Sequence, residues 1–398
     1  MCVMARTPHF AVQLMDRYMT RVPFNKPSIV SNEIAYLTQA IELGQLSGDG
    51  HFTKLANKEI CRQTGAHATL LTHSCTAALE MCAILSDLGP GDEVIMPSFT
   101  FVSTANAVVL RGATPVFVDI DPLTLNIDVS DMAAAITDRT RAVFVVHYAG
   151  YPADMDPILD ICRAHGLIVI EDAAQALGSF YKGRPAGSLA DMGAFSFHET
   201  KNIISGEGGA LTLTGPRYVE RAEIIREKGT NRSNFLRGQT DKYTWVDLGS
   251  SFLPGELTAS FLFAQLELAE TIRATRLALF ERYMDAFAPL EAAGRLRRPI
   301  CPEGCTGNGH IFYLMLNNIE DRDAFIRHMR AHEITTPFHY VPLHSSPAGI
   351  KFGRSNHDLP VTNDVSARLV RLPLYYELGP HIDRVIEVAY KYLSQDPG

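Results

Sequence analysis

No window of 18 consecutive apolar residues occurs in the 398-residue chain, so none of its helices is expected to span a bilayer. Tryptophan occurs once, at Trp245. Basic residues are outnumbered, 36 Lys and Arg against 44 Asp and Glu, for a formal net charge of −8. With no dense Lys/Arg run, nucleic acid is not expected as a main partner, although a basic pocket for a small anion stays open. The seven cysteines are odd in number and scattered, which is not a disulfide framework. Cys301 and Cys305 have no second pair or histidine at zinc-site spacing, so no metal site is expected there. The opening stretch MCVMARTPHFAVQLMDRYMTRVPFNKP carries charges throughout. It lacks the apolar core of about 7–15 residues that a secretion signal needs, and the expected compartment is the cytoplasm.

What is present is an alternation. Hydrophobic content is 46% and charged content 20%, ordinary for a globular enzyme. From about residue 68 to 214, short Val/Ile/Phe-rich runs (ATLLTH, DEVIMP, TPVFVDID, RAVFVVHYAG, LIVIEDAA, GAFSFH, GALTLTG) alternate with helical patterns. That order predicts βαβ units and a mostly parallel sheet covered on both faces. Ligands of such sheets bind at the carboxyl ends of the strands. The segment VSDMAAAIT is expected to start a helix behind Ser130 or Asp131. Residues 256–290 read as one long helix, and ITTPFHYV reads as a strand. The expected organisation is an N-terminal extension (1–22), a large domain (23–270), then a linking helix and smaller α+β domain (271–398).

Strand ends supply the candidates. Asp172 follows four apolar residues, where a carboxylate is costly to bury without a partner. It reads either as a helix cap or metal ligand, or as the partner of a protonated heterocyclic nitrogen. Gln175 lies one helical turn on. Lys201 follows the run FSF and precedes the glycines Gly206, Gly208 and Gly209, which do not form a GxGxxG fingerprint. It is open to three readings: a solvated charge, a phosphate clamp, or an amine activated by burial. Ser196 offers a hydroxyl beside it. Cys75 and Thr76 open a helix whose first N–H groups suit an anion. Phe99 and Phe101 are either core residues or a platform for a flat ring. The polar loop 229–245, with Arg232, Arg237, Lys242 and Trp245, reads as a phosphate-contacting loop or a subunit interface. His339 and His344, in FHYVPLH, are candidates to face a substrate.

The segments EDAAQALGS, FSFHETKN, GEGGAL, PSFTFVSTANAV and REKGTNRS together resemble the DegT/DnrJ/EryC1/StrS family of pyridoxal-phosphate (PLP)-dependent sugar aminotransferases, over roughly residues 22–395. Within it the chain is most similar to the WecE/RffA type, the dTDP-4-amino-4,6-dideoxygalactose transaminases. The resemblance implies PLP-dependent transferase fold type I with a mixed, mostly parallel seven-stranded sheet. It implies that Lys201 joins the cofactor covalently and then acts as general acid/base. Asp172 would pair with the pyridine nitrogen, Gln175 would contact the ring hydroxyl and Phe101 would stack on the ring. Cys75, Thr76 and Ser196 would hold the phosphate. The implied reaction moves an amino group from L-glutamate, through pyridoxamine phosphate, to C4 of dTDP-4-keto-6-deoxy-D-glucose, with the galactose configuration favoured. Lysine at 201, where dehydratases of the family carry histidine, favours transamination. Two positions depart from the pattern. Cys75 stands where many members have glycine. Ser251 stands where many have an asparagine that reaches the neighbouring subunit's phosphate, so the implied homodimer with shared active sites rests on a serine.

Overall fold

The computed structural model describes residues 21–395, so nearly all of the segment 1–22 lies outside the described residues. Helices α1 (Glu33–Glu42) and α2 (His51–Thr64) come first. The alternating region then folds as β1 (Ala68–Thr72), α3 (Cys75–Leu85), β2 (Glu93–Pro97), α4 (Val102–Val109), β3 (Thr114–Val118), α5 (Val129–Ala134), β4 (Thr140–Val146), α6 (Met155–His165), β5 (Ile168–Asp172), β6 (Met192–Ser196) and β7 (Gly209–Leu213). These strands lie side by side in the order β1-β7-β6-β5-β4-β2-β3, and only β7 runs antiparallel to its neighbours. Successive residues of one strand serve opposite layers. In β4, Ala142 and Phe144 join the core with Leu79 and Ala107, whereas Val143 and Val145 join Met155 and Ile158. Burial on both faces is why the strands read as continuous apolar runs. The α5 cap is Asp128, whose side chain accepts from Asp131 N, rather than the expected Ser130 or Asp131.

After β7 come α7 (Val219–Arg226), α8 (Arg232–Leu236), α9 (Glu256–Glu267) and α10 (Ala269–Ala292). The single long helix expected here is broken at Leu268, which leaves helical geometry at φ −105°. The break serves two cores. Ala259, Leu262 and Leu266 of α9 pack beside Phe195 and Phe197, while Leu279, Phe280, Tyr283 and Phe287 of α10 enter a separate C-terminal cluster. That cluster is built on the antiparallel pair β8 (Phe312–Met315) and β10 (Leu369–Leu372), with α11 (Ile319–Ala331) and α14 (Ile382–Leu393). Val22 is fully buried in it and pairs with Ile334. The strand expected at ITTPFHYV does not form. Two isolated bridges stand in its place, Ile334 to Val22 and Phe338 to Val370, because Pro337 lacks an N–H and Tyr340 turns the chain at φ 40°.

The large sheet also has an eighth strand, one more than expected. The two-residue β9 (Arg354–Ser355) pairs in parallel with β3 after α12 (Pro347–Phe352) and before α13 (Pro360–Arg368). Two residues carry no readable periodicity. The edge is sealed by Glu93, only 3% exposed. Its carboxylate accepts from Arg354 Nη2 at 2.7 Å, Arg354 Nε at 3.1 Å, Arg139 Nη2 at 2.5 Å and Thr137 Oγ1 at 2.7 Å. Arg354 above all holds the Glu93 pKa down to about 2, against an ordinary 4.5. A carboxylate lowered in the fold contributes stability above its unfolded pKa and loses it as pH falls through the folded one. Urea unfolding followed against pH is therefore expected to show a loss between about pH 5 and pH 2. Glu93→Gln should be less stable at neutral pH and flatter across that acid window.

Candidate active site

The parallel strands all end along one edge of the sheet, and β7 begins there. That edge gathers Ser74–Thr76, Ser98–Thr104, His147–Gly150, Asp172–Gln175 and Gly208–Gly209. Asp172 closes β5 and is 6% exposed. Thr104 Oγ1, on α4, donates to Asp172 Oδ2 at 2.7 Å, and Ala174 N donates to Oδ1 at 3.2 Å. Burial nevertheless pushes the Asp172 pKa up; Thr104, Ala174 and Lys201 resist the rise without cancelling it. The carboxyl group sits in surroundings that ask for one more cation.

Lys201 is not at the strand end. β6 stops at Ser196, and the lysine lies in the loop that joins β6 to β7. Phe197 N donates to Gly208 O at 2.8 Å and Ser205 N to Phe197 O at 2.7 Å, which tie the two sides of that loop. Asn202 anchors it from the C-terminal part of the chain, through Asn308 O and His310 Nδ1, both at 2.9 Å. A narrow cavity of about 10 Å³ beside the loop is lined by Lys201 with Asn25, Lys26, Asn202, Arg276 and Tyr376. Burial lowers the Lys201 pKa; Cys75 and Asp172 work against the shift and Arg371 adds to it. A lowered pKa leaves more of the amine neutral and nucleophilic.

Helix α3 points its first turn at the same place. Ser74 caps it, accepting from Ala77 N at 3.1 Å. Thr76 Oγ1 lies 2.7 Å from Ser103 Oγ of α4. Gly209 explains how β7 comes so close: a Cβ there would sit 2.4 Å from Cys75 N and from the Ser74 carbonyl carbon. The Cys75 side chain points into buried surroundings. Burial, then the Asp172 charge, push its thiol well above the ordinary range, so it stays protonated and does not rival Lys201 as a nucleophile. An anion-ready helix start, a buried acid and a desolvated amine on one sheet edge form the donor set that a phosphate-bearing pyridinium needs.

The family model that matches the chain is the DegT/DnrJ/EryC1/StrS aminotransferase family, over residues 27–389. The chain belongs to that family. It is 34% identical over 381 residues to the spore coat polysaccharide biosynthesis protein SpsC of Bacillus subtilis, covering 92% of this chain and 95% of that one. It is 32% identical over 374 residues to the GDP-perosamine synthase of Caulobacter vibrioides, covering 92% and 97%. Among solved structures it is similar to Spr1654 of Streptococcus pneumoniae in its PLP form, with TM-score 0.84, 26% identity and coverage of 94% and 100%.

For this aminotransferase, the other sequence candidates divide in two. Gln175 joins the cluster: its Oε1 accepts from Ala149 N at 2.7 Å and its Nε2 donates to Tyr340 OH at 2.9 Å. Ser196 stands half-buried at the end of β6. Phe101 is the residue before α4 and is 57% exposed, whereas Phe99 is core. His339 and His344 come to the same edge, but each spends Nδ1 on a large-sheet partner: Tyr148 OH at 2.9 Å and Ser98 Oγ at 2.7 Å. Burial lowers the pKa of both, His339 strongly. Arg232, Arg237, Lys242 and Trp245 do not join. Among the described residues none of them lines the cavity beside Lys201. Arg237 pairs with Glu223 at 2.7 Å, Arg232 with Glu227 at 3.4 Å, and Trp245 is 78% exposed. Ser251 is exposed beside them and pairs with Glu227.

Thr104 and Tyr340 escaped the sequence reading; His147 and Glu171 lay in strand-end segments expected to carry chemistry, but their pairing was not read. Thr104 grips Asp172 but looked like any small polar helix residue. Glu171, fully buried beside it, accepts from Gly187 N, Leu189 N, Ala190 N and His147 Nε2 at 2.6–2.9 Å. Since Ala153 N donates to His147 Nδ1, the proton of that imidazole is on Nε2. A polar residue at the end of a buried run was the available signal for His147. Tyr340 had no signal except its place in FHYVPLH.

Proposed function

We propose that this sugar aminotransferase moves the amino group of L-glutamate to C4 of dTDP-4-keto-6-deoxy-D-glucose, giving 2-oxoglutarate and dTDP-4-amino-4,6-dideoxyhexose, with the galactose configuration favoured. The observation that carries the chemistry is the meeting, at one edge of the sheet, of the buried Asp172 at the end of β5, the first turn of α3 and the β6–β7 loop that bears Lys201. PLP, when bound, supplies an aldehyde for amine exchange and a ring that takes up carbanion electrons. Asp172 pairs with the ring N–H⁺ and keeps it protonated. The N–H groups at Cys75 and Thr76, with the hydroxyls of Thr76 and Ser196, hold the phosphate. Gln175 directs an amide N–H to the ring hydroxyl, and Phe101 supports the ring face. Lys201 Nζ takes the proton from the α-carbon of glutamate and delivers one to sugar C4 in the second half, so the face it stands on decides the configuration there.

The choice of nucleotide sugar rests on the likeness of AEIIREKGTNRSNFLRGQTDKYTW to the dTDP type. The GDP-perosamine relative makes a GDP-sugar the first alternative to try. A homodimer belongs to the same reading. Trp245, Val246, Leu248 and Leu257, which flank Ser251 in sequence, are exposed apolar side chains that a second copy would cover. There Ser251 and the loop arginines would reach the partner's site. A cytoplasmic location is supported by the free cysteines among the described residues. The test is purified enzyme with L-glutamate and the dTDP 4-keto, dTDP 3-keto and GDP 4-keto sugars in turn, products read by NMR and mass by sedimentation. Amination at C4 and a two-chain mass are expected. Amination only at C3, or only of a GDP-sugar, overturns the substrate assignment.

A further inference from the structure

Residues 338–344 cross the carboxyl ends of three adjacent strands. Tyr340 OH meets Gln175 after β5, His339 meets Tyr148 after β4, and Leu343 N and His344 Nδ1 meet Ser98 after β2. Tyr340 is the strained member. Its φ of 40° is one that non-glycine residues avoid. Such strain persists where surrounding contacts over-determine it. Four contacts do so here. Ser366 Oγ, on α13, donates to Tyr340 O at 2.7 Å. Its ring stacks on His339 at 3.6 Å and meets Phe99 edge-on at 5.5 Å. Its hydroxyl receives Gln175 Nε2 at 2.9 Å.

Gln175 is thereby locked from both ends. Ala149 N fixes which end of the carboxamide is oxygen. The hydroxyl of Tyr340 then takes one of the two Nε2 hydrogens, which leaves the other in one direction only. We propose that Tyr340 is a positioning residue: it aims the remaining Gln175 N–H at the cofactor ring hydroxyl and so links the C-terminal part of the chain to the electronic state of the ring. The proposal rests on the reading of Gln175 given above. Without Tyr340 the carboxamide keeps its anchor at Ala149, swings about it, and divides its N–H between the ring and water.

The experiment uses the full-length protein and two readouts other than turnover. Pyridoxamine phosphate has no aldehyde, so its dissociation constant reports the non-covalent site without Lys201 chemistry. The pH titration of the visible band of the PLP-bound protein reports the ring. Tyr340→Phe keeps the ring packing and removes the hydroxyl. It should weaken pyridoxamine phosphate about fivefold, as for one lost hydrogen bond, and shift the band titration. In a Gln175→Ala background it should add nothing to either readout, because it acts through that side chain. Equal effects with and without Gln175, or none where Gln175→Ala has one, overturn the proposal and leave the role of Gln175 standing. No effect of Gln175→Ala overturns both. Should Tyr340→Phe unfold, Ser366→Ala, which frees only the backbone anchor, is read in the same way.

Discussion

Lys201→Ala is expected to fold, to bind pyridoxamine phosphate, and to lose transamination by at least roughly 10²–10⁴-fold, the share that proton transfer alone supplies. The stability half follows from burial. The fold disfavours the charged form of this lysine, since burial is the leading cause of its lowered pKa. Truncation therefore removes a group whose charge the structure resists, and the melting temperature should not fall. The activity half follows from position. Cys75, the nearest rival nucleophile, is held protonated by burial and by Asp172. Lys26, the other lysine lining the cavity beside Lys201, is paired with Glu377, so glutamate-dependent formation of 2-oxoglutarate is the measurement. Partial recovery by a small primary amine in the buffer would mark the defect as a missing base. An unimpaired rate would remove Lys201 from the chemistry.

Asp172→Asn separates function from stability in the opposite direction. The isosteric amide keeps a partner for Thr104 and for Ala174 N but removes the charge beside the ring nitrogen. Losing a preorganised charge of this kind costs about 10²–10³-fold in rate. The protein without cofactor should behave differently. A folded pKa raised by burial means the acid favours the fold at low pH and opposes it once ionised. At neutral pH the amide variant should be at least as resistant to heat as the parent. By the same sign, the parent's affinity for cofactor should weaken as acid protonates Asp172. Thermal melts of apoprotein and rates of reconstituted enzyme, measured on one preparation, check both halves. A variant that loses stability and keeps its rate would refute the assignment.

The parallel sheet was legible because burial on both faces leaves uninterrupted Val, Ile and Phe, as in LIVIED and AVFVV. Asp172 was legible for a related reason, a polar residue at the end of such a run; Thr76 was legible from the helix start at Cys75, and Gln175 from its spacing to Asp172. Lys201 was recognised, but its seat was misplaced. Nothing in HETKN says that β6 stops at Ser196, because pairing with β7 decides that, and β7 lies beyond the loop. The helix break at Leu268 has no local breaker; it arises from two cores pulling on one stretch. ITTPFHYV looked like a strand because β-branched and aromatic residues suit one, yet His339 and Tyr340 bond side chains at the distant strand ends. Contacts across more than 160 positions, such as Gln175 with Tyr340, leave no trace in a local pattern.

The two rims of the large sheet bear on how the protein is made. β1 can pair only with β7, some 140 positions later, and β3 is covered by Arg354–Ser355. On a ribosome, which releases the chain from its amino end, both rims wait for late residues. The start of α3 gains its neighbour Gly209 only after β7 has emerged, so a nascent chain that already contains Asp172 still lacks a finished phosphate cradle. Until residue 355 is out, β3 offers unpaired backbone to any passing strand, and slow translation of the final third would prolong that exposure.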